Sequence, residues 1–140
     1  MKPGWLHRLT GFGKIPPVVR ETLEDEGFVF LDEGVRITVH YRSYRAPGKR
    51  AWHKLRRVRG AIALTEQRLI AFAYFRKVLN VRLDDPRLAR LGLGLAGPGV
   101  LEITVDPSVF HPDRSGEVVY RFQTVHAEEI LAVLEEHRRR

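Results

Sequence analysis

The strictest constraint in this sequence is a period of two. Between Val35 and Arg42 the apolar residues Val35, Ile37, Val39 and Tyr41 alternate without exception with Arg36, Thr38, His40 and Arg42. Successive side chains of a strand point to opposite faces, so this segment predicts a β-strand with one buried and one wet face. Similar signals recur along the chain. Phe28-Val29-Phe30-Leu31 is a compact apolar strand signal. Gly60–Leu64 and Arg68–Ala73 flank Thr65-Glu66-Gln67 as two strands joined by a tight turn. Val78, Leu79, Val81 and Leu83 continue the sheet to Asp84-Asp85-Pro86, where the chain must turn. A strand is predicted to begin near Ala89 in the stretch Leu88–Leu95, and Leu101–Val105 and Val118–Phe122 supply two more.

The helical period appears only near the two ends. Val18, Val19 and Leu23 form a short stripe with Gly27 as its stop, whereas Ala127, Ile130, Leu131 and Leu134 fall at i, i+3, i+4 and i+7. Glu128 and Glu129 in the first turn and His137 to Arg140 in the last suit the helix dipole. Without crossover helices the strands cannot form a parallel sheet. The expected fold is therefore mainly β with some α content: a seven-stranded antiparallel barrel capped by a C-terminal helix, with a short N-terminal helix. At 140 residues the chain is expected to form one domain. Residues 1–17, with three glycines and three prolines, are expected to be a flexible arm, and 18–140 the single domain.

The hairpin Gly60-Ala61-Ile62-Ala63-Leu64-Thr65-Glu66-Gln67-Arg68-Leu69-Ile70-Ala71-Phe72 resembles a recurring signature of bacterial pleckstrin-homology-like and GRAM-type domains, of the pattern Gly-x-apolar-x-Leu-Thr-x-x-Arg-Leu-apolar. The downstream order of strands and the Ala127-Glu128-Glu129-Ile130-Leu131 helix start are similar to that family, over roughly residues 18 to 137. The resemblance implies a barrel of that type and a non-catalytic binding or assembly module. Its phosphoinositide-binding relatives carry bases on the loop joining the first two strands. If Phe28–Leu31 is the first strand, that loop is the acidic Leu31-Asp32-Glu33-Gly34; if Val35–Tyr44 is, it is the basic Arg45-Ala46-Pro47-Gly48-Lys49-Arg50. Within the hairpin, Thr65 is expected to offer its hydroxyl to a turn amide and Arg68 to hold its charge in solvent.

Charge narrows the function further. The net charge is +7, and from Gly34 through Thr65 there is no Asp or Glu. The candidate binding residues are Arg42, Arg45, Lys49, Arg50, Lys54, Arg56, Arg57 and Arg59, interleaved with Tyr41, Tyr44 and Trp52. Bases for phosphates and rings for stacking would suit a nucleic acid or an anionic membrane, the alternative to a protein-binding module. The simpler reading puts the bases on the solvent face of a strand, with Tyr41, Trp52, Leu55 or Val58 on its core face, where charge protects a sheet edge. A protein partner or self-association is expected, with anionic lipid or nucleic acid as further candidates.

Catalysis is not expected. The chain has no cysteine, and no Ser-His-Asp order, P-loop or pair of buried carboxylates can be placed on rigid elements. Gly92-Leu93-Gly94-Leu95-Ala96-Gly97 matches a dinucleotide fingerprint in letters, but Pro98-Gly99 and a strand follow it where a phosphate-binding helix is required. His111-Pro112-Asp113 falls short of a metal ligand set. No cofactor or metal is expected. Met1–Arg8 lacks the apolar run of a secretory signal, and no segment approaches the roughly 18 apolar residues of a membrane span. The expected location is the cytoplasm, with any membrane contact peripheral, at the inner face.

Overall fold

A computed structural model describes residues 14–139, apart from the side chains of residues 51–53. Helix α1 (Pro17–Glu26) leads into β1 (Phe28–Ala46), β2 (Lys49–Thr65), β3 (Arg68–Ala73) and β4 (Arg76–Arg82). After a 3₁₀ turn at Pro86–Arg90 come β5 (Gly92–Gly97) and β6 (Val100–Val105). A second 3₁₀ turn at Pro107–Val109 precedes β7 (Ser115–Gln123) and helix α2 (Ala127–Arg139). The seven strands form one antiparallel sheet in the order β4-β3-β2-β1-β7-β6-β5, curled into a half-barrel. Among the described residues only the β1–β7 pairing joins strands distant in sequence, and it welds the first four strands to the last three.

The concave face holds the main core. Val35, Ile37 and Val39 of β1, Ile62 and Leu64 of β2, Ile103 of β6 and Phe122 of β7 pack there, and α2 closes it with Ala127, Ile130 and Leu134. The apolar stripe of the terminal helix is thus the face it buries. A second cluster lies on the opposite face, where α1 and the segment before it set Leu23 and Ile15 against Ala61, Ala63, Ile70 and Phe72. Residues 61–64 of β2 are consequently fully buried on both faces, which explains why they read as a continuous apolar run and not as an alternation.

The hairpin after β2 ties α1 down. Thr65 Oγ1 accepts from the amides of Gln67 at 3.1 Å and Arg68 at 3.0 Å, as expected of a turn threonine, and donates to Glu26 Oε1 at 2.8 Å. Arg68 departs from expectation. Its guanidinium does not hold in solvent but meets Glu26, with Nη2 at 2.6 Å from Oε2 and Nε at 3.0 Å from Oε1. The Glu26 side chain is 8% exposed, so the arginine offsets a carboxylate that burial would otherwise penalise.

Three expected boundaries shift. Phe28–Leu31 and Val35–Tyr41 belong to one 19-residue strand, because Gly34 at φ +73° absorbs a register shift against β2 where a turn was conceivable. The connection between β1 and β2 is therefore the basic Arg45–Arg50. Trp52–Arg59 and Gly60–Leu64 likewise form a single strand. The strand expected near Ala89 begins at Gly92, since Asp85 caps a 3₁₀ turn through its bond from the Arg87 amide at 2.8 Å and buries Leu88. Of the expected arm, residues 1–13 lie outside the described residues, and Ile15 is buried against the sheet.

Candidate functional site

Beyond the level of Gly60 the β1–β2 hairpin continues past the end of β3, and its concave face stops being apolar. On β2 the even-numbered Val58, Ile62 and Leu64 face the core, so the same face further along presents Arg56, Lys54 and Arg50. These bases form one wall of a cleft of about 1020 Å³. The rest of the lining comes from the start of β4, with Arg76 and Lys77, and from the β6–β7 segment, with Phe110, His111 and Arg114.

The floor is aromatic, and a bulge makes it so. Residues 41 and 44 would face opposite sides of a regular strand. Ser43 adopts φ +49°, the ladder with β7 shifts register between Arg42 and Arg45, and Tyr41 and Tyr44 both line the cleft with ring centroids 5.1 Å apart. Gly116 permits this: it sits at φ +99°, and a side chain there would collide with the Ser43 carbonyl. Tyr120 completes the floor. Burial pushes its hydroxyl above the ordinary range, and the Tyr41 and Tyr44 hydroxyls add to the shift, so it stays a neutral hydrogen-bonding group.

The electrostatics are one-sided. Lys49, Arg50, Lys54 and Arg56 from the hairpin join Arg76, Lys77, Arg87 and Arg114, and the carboxylate lining the cleft is Asp113. Among the described residues no carboxylate pairs with the first six. Arg87, unlike these six, has a carboxylate partner. It is forked onto Asp85, with Nη2 at 2.7 Å from Oδ2, and lies over the Phe110 ring at 4.7 Å; the hydrogen bonds from its side chain and amide hold the Asp85 carboxyl below its usual range. Arg114 retains a buried Nε with no hydrogen-bond partner, since Asp113 Oδ1 stands 3.9 Å away. Like charges crowded against apolar walls focus a field that attracts anions.

The eight bases singled out in the sequence do not share one surface. Lys49, Arg50, Lys54 and Arg56 line the cleft. Arg42 instead pairs with Glu117 at 3.1 Å, and Arg59 donates to the Gly34 carbonyl at 3.0 Å. Arg45 and Arg57 are exposed and do not line the cleft. The expectation of bases on a solvent face and Leu55 on a core face is corrected: Leu55 is 53% exposed, and its neighbours Lys54 and Arg56 take the concave side. Arg76, Lys77, Arg87, Arg114, Tyr44 and Phe110 were not singled out together, because they reach the cleft from four separate elements. The acid-free run 34–65 was the one signal pointing there.

The literal dinucleotide motif at 92–97 is strand β5, with a turn and strand β6 after it. Among the described residues no helix is long and apolar enough to cross a membrane. No family model, curated protein or solved structure matches the chain.

Proposed function

We propose that this chain is a non-catalytic binding module of the pleckstrin-homology-like kind, and that it holds a multiply charged anionic group, such as a polyphosphorylated head group, in the basic cleft. One observation carries the reading: six cations without a described carboxylate partner converge on one tyrosine-floored cleft. The hairpin at 60–72, the seven antiparallel strands and the terminal helix support the kinship, and the β1–β2 connection is the basic one of the two that the sequence allowed. Arg50, Lys54, Arg56, Arg76 and Lys77 are the charged donors on which phosphate oxygens would settle. A lipid bearing such a group would hold the protein peripherally at the cytoplasmic face of a membrane.

Titration with short inorganic polyphosphate, with phosphatidylglycerol vesicles and with a single-stranded oligonucleotide tests this. Binding should weaken linearly with salt on logarithmic axes, and the combined substitution Arg50→Ala, Lys54→Ala and Arg56→Ala should reduce the slope by about three, roughly one per lost contact. Binding that ignores salt, or that the triple variant leaves unchanged, overturns the reading. Equal dependence of oligonucleotide binding on Arg57 and Arg59 would move the interface from the cleft to the whole basic segment 42–59.

A further inference from the structure

The outer part of β2 has a neighbour on one side only. β1 accompanies β2 from Lys49 to Thr65, whereas β3 pairs with residues 60–64 and its following turn reaches no further than the Tyr74 amide donating to the Arg59 carbonyl at 2.7 Å. Among the described residues no ladder or backbone hydrogen bond reaches the far side of residues 49–58. That leaves an edge of ten residues, about 33 Å of strand at roughly 3.3 Å per residue.

Natural sheets protect such edges with proline, bulges, brevity or charge. This segment has no proline, and its register against β1 runs without a shift from Val35–Gly60 to Ala46–Lys49. Charge is the remaining device: Lys49, Arg50, Lys54, Arg56 and Arg57, with no acid. A second copy of this chain pairing here would set bases opposite bases, which is destabilising. An acidic strand reverses that sign. Protection by charge alone is therefore selective, excluding the chain itself and admitting a partner of opposite charge.

We propose that the free edge of β2 between Lys49 and Val58 is a docking strand for an extended acidic segment of a partner protein, which adds antiparallel to β2 in line with β3. The alternation defines the segment's pattern. Its residues on the cleft side face Arg50, Lys54 and Arg56 and carry carboxylates, while those on the other side pack an apolar or β-branched residue over Leu55. Backbone bonds supply affinity and alternate side chains supply specificity, as in other strand-addition complexes. The inference goes beyond the cleft reading and shares with it only Lys49 and these three bases.

The test uses the whole chain and two blocked ten-residue peptides of one composition. In the first, glutamate alternates with valine and threonine; in the second, the glutamates form a single block. The alternating peptide should bind at least about tenfold more tightly and slow hydrogen exchange at alternate amides of residues 49–58. Lys54→Glu with Arg56→Glu should abolish that binding and transfer it to an alternating lysine peptide, which shows that the variant has folded. Equal affinity for the two acidic peptides, or binding without amide protection, overturns the proposal. Polyphosphate separates the two readings: if it binds and the alternating peptide does not, the edge proposal falls and the cleft stands; if the peptide binds with amide protection and polyphosphate does not bind, the cleft reading falls and the edge stands.

Discussion

The two halves of β2 are one continuous strand on one partner strand, yet they live in different chemistry. Residues 60–64 have β3 on their far side, the concave core on one face and the α1 cluster on the other, and Ala61 to Thr65 have no solvent exposure. Residues 49–58 keep β1 but lose β3, and among the described residues no second layer covers Leu55. Backbone pairing with β1 is common to both halves, so it cannot be what separates stability from function. Coverage separates them: where layers lie on both faces the strand is core, and where they end the same alternation turns bases into a cleft wall.

Gly60 stands at the junction, and the largest effect is expected there. A side chain at this position would run into the Phe72 carbonyl and the Ile37 side chain. Gly60→Ala should destabilise the fold by about 3 kcal/mol or more, read as a lowered urea midpoint, since backbone must move to make room. An unchanged midpoint would mean that the junction is loosely packed and the contrast between the halves overstated.

Gly116→Ala probes the outer half through its bulge. Strain at φ +99° and contact with the Ser43 carbonyl should cost about 1–3 kcal/mol. The variant should also weaken polyphosphate binding, because a relaxed bulge no longer holds Tyr44 beside Tyr41. Loss of stability with unaltered binding would remove the tyrosine floor from the site.

The smallest effect sharpens the comparison most. Leu64→Ala in the covered half should cost about 2–5 kcal/mol, while Leu55→Ala in the uncovered half should stay within about 0.5 kcal/mol. Paired denaturation curves measure both. A Leu55→Ala loss near that of Leu64→Ala would show that the outer half is buried in solution, by a second copy or another partner.

Much of the fold is legible in the sequence. Period-two alternation placed β1 and β6, the Thr65 turn placed the β2–β3 hairpin, and the stripe Ala127, Ile130, Leu134 placed α2 and its buried face. The cleft was legible only in part. Lys49, Arg50, Lys54 and Arg56 stood out as bases in an acid-free run, but their separation from Arg42, Arg45, Arg57 and Arg59 depended on strand parity and on where β3 stops.

Local periodicity fixes which side chains share a face, because that follows from backbone geometry alone. The sequence by itself thus determined an antiparallel, mainly β chain with a packed terminal helix and a strongly basic middle. The tertiary structure decided what each face meets. Gly34 became a bulge inside one long strand, Ser43 and Gly116 turned Tyr44 toward Tyr41, and Arg76, Lys77 and Arg114 joined the bases of β2 from elsewhere in the chain. A face is core or cleft according to the layer laid over it, and that layer is set by contacts between residues far apart in sequence.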